Sequence, residues 1–178
     1  MDVNKISIGN NPPYDTNVII EIPQGGSPVK YELDKDSGAM FVDRFLHTAM
    51  YYPCNYGFIP HTLSDDGDAV DAAVLGQIPV MPGCVIPSRP IGVLMMEDES
   101  GIDEKILCVP VDKLHPYYED VTSYRDLRPI LIEQIAHFFA HYKDLEKGKW
   151  AKVQGWSGPE AAHEAIRAGM ERAKNQKA

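Results

Sequence analysis

The sequence predicts a mainly β fold with α: a small closed β-barrel with two C-terminal helices packed outside it. Two observations carry this. Up to about residue 120, short β-type apolar runs alternate with Gly, Pro, Asn and Asp; beyond it the apolar period becomes helical. Strands first and helices last, joined by short connections, suit a sheet closed on itself and covered by helices.

The strand candidates are 17–22, 29–33, 39–44, 72–80, 89–97 and 105–111. The first holds the β-branched run Val18, Ile19, Ile20 and Ile22, interrupted by Glu21. In Val29-Lys30-Tyr31-Glu32-Leu33, strand alternation puts Lys30 and Glu32 on one face. Asp34-Lys35-Asp36-Ser37-Gly38 then reads as a hairpin turn into the third strand. Past residue 120, Ser123 and Asp126 read as a helix cap. Ile132, Ile135, Phe139 and Tyr142 recur at helical spacing until Gly148 ends the run. Ser157-Gly158-Pro159-Glu160 opens a second helix with its body at 161–173.

The 178 residues suffice for one well-packed domain, expected over 1–178, and 44% apolar with 24% charged residues is ordinary globular composition. Net charge is −9 with no basic tail, the reverse of a nucleic-acid binder, so neither nucleic acid nor any other polyanion is expected as a partner without metal ions between. No apolar run of signal-peptide length follows Met1-Asp2-Val3-Asn4-Lys5. Gly76, Pro79, Pro82, Pro87 and Arg89 break the 70–93 stretch, so it is no membrane span. Cys54, Cys84 and Cys108 are odd in number and form no Cys-x-x-Cys pair. They read as buried free thiols of a reducing cytoplasm, the expected location.

The chemistry concentrates in Ser64-Asp65-Asp66-Gly67-Asp68-Ala69-Val70-Asp71, where four carboxylates crowd into seven residues. Such a cluster repels itself unless a cation sits within it, and all-oxygen ligands favour Mg²⁺, Mn²⁺ or Ca²⁺. A second acidic group follows at Glu97, Asp98, Glu99 and Asp103. Glu21, Lys30, Glu32, Arg44, Asp103 and Lys105 add charge to strand positions. Each alone could face solvent. Together with the acidic loop they read as a strand-lined polar cavity, with cations for phosphoryl oxygens and anions for metals.

Several motifs fail. An EF-hand starting at Asp66 would need an oxygen ligand at Val70 and a glutamate at Gln77. His137 and His141 flank Phe138 where a zinc protease needs glutamate. Gly148-Lys149-Trp150 lacks the rest of a P-loop, and no Gly-x-Ser-x-Gly elbow exists.

Asp66-Gly-Asp68-Ala-Val-Asp71 closely resembles the Asp-x-Asp-Pro-x-Asp signature of family I soluble inorganic pyrophosphatases, in their short bacterial form. The resemblance runs in order through Ile20-Glu-Ile-Pro23, Lys30-Tyr-Glu32, Phe41-Val-Asp-Arg44 and Tyr52-Pro-Cys-Asn-Tyr56-Gly57. It continues through Arg89-Pro-Ile-Gly-Val93, Met96 to Lys105, and His137 to Trp150.

That resemblance implies Mg²⁺-dependent hydrolysis of pyrophosphate to two phosphates, with several Mg²⁺ per site and Mn²⁺ or Zn²⁺ as substitutes. It implies an OB-fold-like closed five-stranded barrel with flanking strands, assembled as a homohexamer. By position, Asp66, Asp71 and Asp103 resemble ligands of a first metal, with Asp71 shared with a second. Asp98 and Asp103 resemble ligands of metals arriving with substrate, and Glu32 holds metal through water. Lys30, Arg44, Lys105, Tyr142 and Lys143 resemble phosphate contacts. Tyr56 resembles a hydrogen-bonding group of the site, Asp68 the general base, and Glu21 a neighbour of the nucleophilic water. The implied reaction is direct in-line attack by a metal-bridged hydroxide, without a phosphoenzyme. Read alone, Tyr142 and Tyr56 are equally core aromatics, and Lys143 belongs equally to a solvated helix end.

The chain departs from the signature at Ala69, where proline is usual, and at the small pair Ala72-Ala73; neither change removes a ligand. An OB-type oligonucleotide-binding module and a non-catalytic divalent-metal-binding protein are the alternatives. The net charge opposes the first, and Lys30, Arg44 and Lys105 have no use in the second.

Overall fold

In the computed structural model, which describes residues 1–176, the strands are β1 (Thr16–Ile22), β2 (Val29–Leu33), β3 (Met40–Phe45), β4 (Asn55–Phe58), β5 (Asp71–Val74), β6 (Val85–Asp98), β7 (Gly101–Ile102), β8 (Lys105–Pro110) and β9 (Ala151–Ser157). The helices are α1 (Pro129–His141) and α2 (Pro159–Gln176). Strand β1 pairs with β4, β4 with β5, β5 with β8, β8 with β6, and β6 returns to β1, which closes a ring of five strands. Among the described residues only β5 and β8 run parallel. At 14 residues, β6 is long enough to serve β1 with its first residues, β8 with its middle, and β7 and β9 with its end. Strands β2 and β3 form a separate hairpin beside β1. The fold is mainly β with two helices, as the sequence predicts.

Strand alternation sorts the buried apolar side chains into two large groups. Ala73, Leu75, Leu94, Met96, Leu107 and Val109 pack with Ile135, Phe138 and Phe139 of α1. Val18, Ile20, Ala72, Val74, Val93, Ile106 and Cys108 pack with Ala162 and Ile166 of α2. The small pair Ala72-Ala73 is fully packed, one residue in each group.

The differences from the expected elements have local causes. Strand β4 is short and contains Gly57, which reads as a turn. A Cβ there would lie 1.8 Å from the Ile19 carbonyl oxygen, so glycine is what allows β4 against β1. The 72–80 strand ends at Val74. Ser123 and Asp126 do form a reciprocal cap, but on a single 3₁₀ turn (Tyr124–Asp126); α1 starts afresh at Pro129 and stops at His141, short of Gly148. Strand β9 was hidden in a polar stretch broken by Gly155, and β7 has only two residues. Cys54 and Cys108 are buried as expected, whereas Cys84 is exposed. The 34–38 hairpin turn forms, closed by Asp34 and Ala39, with Gly38 at φ +72°.

Candidate active site

Strand ends and loops converge on one cavity of about 230 Å³. Strand β1 carries Glu21, β2 carries Lys30 and Glu32, β3 carries Arg44, and β4 carries Tyr56. The acidic loop between β4 and β5 brings Asp66 and Asp68, and Asp71 begins β5. Asp98 ends β6, Asp103 and Lys105 stand at the start of β8, and Tyr142 and Lys143 follow α1. Every one of these residues, each expected from sequence, lines the cavity.

Opposite charges interleave within it. Asp71 and Lys105 are register partners across the parallel β5–β8 pair. Lys105 is 4% exposed; its Nζ donates to Asp71 Oδ2 at 2.6 Å and to Asp103 Oδ1. Burial alone would lower the lysine pKa, but the two carboxylates overcome that and hold it above its ordinary value. Burial raises Asp103, and Asp71 nearby adds to the rise against the pull of Lys105. Lys143, also buried, donates to Asp98 Oδ2 at 2.6 Å and approaches Glu99 at 3.3 Å. Burial opposes ionisation of Asp98, and the Lys143 ammonium with the Ser100 N–H at 2.7 Å outweighs it, so its pKa falls.

On the other wall, Lys30 Nζ lies 3.0 Å from Asp43 Oδ2 and 3.7 Å from Glu32 Oε2. Arg44 Nη1 donates to the buried Glu146 Oε2 at 2.8 Å, which fixes the guanidinium from behind. Glu21 lies beneath, 8% exposed, accepting from the Leu33 N–H at 2.7 Å. Burial, with a smaller push from Asp71, raises its carboxyl to about 7 against that hydrogen bond.

The tyrosines form the packed floor. Tyr52 lies 5.1 Å from Tyr56 and 4.7 Å from Phe138, and Tyr142 stacks on Phe138 at 5.2 Å between ring centres. Tyr56 and Tyr142 are therefore core aromatics and cavity lining at once; burial raises both phenols. The Lys105 ammonium lies 5.7 Å from the Tyr56 ring centre.

Glu99, which the sequence places in the second acidic group, also lines the cavity. No role is expected from sequence for Tyr52, Lys35 and Lys149, which line it too, or for Asp43 and Glu146, which hold Lys30 and Arg44. Tyr52, Lys149, Asp43 and Glu146 lie inside the family-like blocks, but no spacing marks them.

The donor set is hard oxygen throughout, which fits Mg²⁺ or a similar cation. Among the described residues no three acidic, His or Cys side chains converge tightly enough for one ion. Instead the Lys105 ammonium sits between Asp71 and Asp103 and balances part of their charge. Asp66 and Asp68 form no ion pair among the described residues; the Asp66 side chain instead accepts from the Asp68 N–H at 3.0 Å.

The family described as inorganic pyrophosphatase matches residues 18–174. The inorganic pyrophosphatase of Caulobacter vibrioides is 68% identical over 172 residues, covering 97% of each chain. That of Rhodospirillum rubrum is 64% identical, covering 96% of this chain and 95% of its own. Among solved structures, an inorganic phosphatase from Anaplasma phagocytophilum superposes with a TM-score of 0.94 at 52% identity, covering 96% of this chain and 99% of its own. The inorganic pyrophosphatase of Thermus thermophilus does so with a TM-score of 0.92 at 41% identity, covering 98% and 99%.

Proposed function

This chain belongs to the inorganic pyrophosphatase family, and on that premise we propose that its cavity hydrolyses pyrophosphate to two orthophosphates with Mg²⁺ bound among its carboxylates. The observation that carries the reading is the interleaving of Asp66, Asp68, Asp71, Asp98 and Asp103 with Lys30, Arg44, Lys105 and Lys143 in one cavity. A dianionic or more highly charged phosphate compound could not enter so acidic a site unaided.

Asp66, Asp71, Asp98 and Asp103, with Glu32 at the rim, would hold the ions. When bound, Mg²⁺ (or Mn²⁺ or Zn²⁺) neutralises the phosphoryl oxygens and makes water more acidic. Everything else falls to the protein. Lys30 and Arg44, braced by Asp43 and Glu146, bind phosphoryl oxygens on one wall. Lys105, Lys143 and the Tyr142 hydroxyl do so on the other, and these contacts line up the bridging oxygen to leave. Asp68, exposed and without an ammonium partner among the described residues, accepts the proton of the attacking water. Glu21 lies close to Asp71 and neighbours the attacking water, and the Tyr56 hydroxyl orients that water by hydrogen bonding. Attack is direct and in line, with no phosphoenzyme.

We read the chain as one domain acting in the cytoplasm, where pyrophosphate and phosphate are its small-molecule partners. By family resemblance the chain is proposed to be a homo-oligomer, a homohexamer. No helix among the described residues is long and apolar enough to cross a membrane. Phosphate release by the purified protein tests the reaction. Rapid release from pyrophosphate with Mg²⁺, and far slower release from ATP, is expected; no release from pyrophosphate by the folded protein would overturn the reading.

A further inference from the structure

The acidic loop is fixed at its base by its own backbone. The Ile59 N–H donates to the Val70 carbonyl at 2.9 Å, and buried Thr62 accepts from the Val70 N–H and donates to the Ile59 carbonyl. Nearer the tip, where Asp66 and Asp68 stand, the Ser64 N–H donates to the Asp68 carbonyl at 2.6 Å and the Gly67 N–H to the Ser64 carbonyl at 3.2 Å. The last turns of α2 brace this loop from outside.

Leu63 is bonded to α2 through both of its backbone groups: its N–H donates to the Gly169 carbonyl at 3.0 Å, and its carbonyl accepts from Arg172 Nε at 2.7 Å. Arg172 Nη1 also lies 3.2 Å from Asp65 Oδ1. On the far arm of the loop, a Cβ at Gly169 would come 2.7 Å from Val70 Cγ2, so the helix rests directly on the residue before Asp71. One helix turn thus touches both arms of the loop. A charge-assisted bond to a carbonyl is stronger than a neutral one, and Arg172 is the cation that supplies it.

We propose that Arg172 is a positioning residue: from α2 it holds Leu63 and Asp65 so that Asp66 and Asp68 face the cavity in the arrangement that cation binding requires. This rests on the metal-assisted reading above.

Mn²⁺ binding to the purified protein, followed by titration calorimetry, tests it without recourse to turnover. Arg172→Met keeps most of the apolar stem and removes the bond to the Leu63 carbonyl. It is expected to weaken the tightest Mn²⁺ site about tenfold, the low end of what loss of a group supporting a metal ligand costs. Arg172→Lys, which still reaches that carbonyl, recovers most of the affinity. The sign is diagnostic, because deleting a nearby positive charge by Coulomb's law alone would tighten cation binding. Unchanged or tighter Mn²⁺ binding in folded Arg172→Met overturns the proposal. Should that variant not fold, Arg172→Leu, which likewise removes every donor to Leu63 and Asp65, decides in the same way. Wild-type protein that binds no Mn²⁺ at all overturns the metal-assisted reading itself, whatever the variants do.

Discussion

Asp71 and Lys105 face each other across the one parallel strand pair of the ring, with carboxylate and ammonium 2.6 Å apart. The pairing places the acidic loop's last carboxylate over the start of β8, where Asp103 stands two residues before the lysine. A buried cation shared by two acids is the centre of the site.

Replacing Asp71 by Asn should lower kcat by about a hundredfold or more, because it removes the carboxylate charge that two metal ions would share. Steady-state phosphate release at saturating Mg²⁺ measures it. A near-normal rate would remove Asp71 from the role given to it.

Replacing Lys105 by Met should destabilise the metal-free protein by about 3 kcal/mol, since Asp71 and Asp103 are left without their shared cation. Urea unfolding in EDTA and again in Mg²⁺ would check this. Mg²⁺ should restore part of the loss by taking up the charge the lysine left.

Glu21→Gln should flatten a pH dependence. The carboxyl is raised from 4.5 to about 7 in the folded chain. Stability it contributes is therefore full below about pH 4.5 and lost as pH rises through about 7. Glutamine still accepts from the Leu33 N–H but cannot ionise. In EDTA the variant should gain up to about 3 kcal/mol over wild type at pH 8 and almost nothing at pH 4.5. Equal differences at both pH values would contradict the raised carboxyl.

What the sequence disclosed followed from how local each signal was. Strands β1 and β8 carry apolar runs and β2 an alternating one, and each is legible in the sequence. The acidic loop was legible as chemistry before any fold was known, because four carboxylates in seven residues demand a cation. Strands β4 and β9 were not, for their glycines answer to partners far away in the chain: Gly57 to the Ile19 carbonyl, Gly155 to the slipped register of β9 on β6. Ser123 gave a true cap signal for the wrong element, since a cap does not say how long the helix beyond it will be. The supports of the site were hidden for the same reason. Glu146 meets Arg44 across 102 positions of sequence, and Arg172 meets Leu63 across 109.

The most direct test is pyrophosphate cleavage after every divalent ion has been stripped by chelation. Phosphate release should cease with the fold intact by circular dichroism, then return when Mg²⁺ is added back. Cleavage that continued undiminished in the stripped protein would contradict the dependence of this anionic cavity on bound cations.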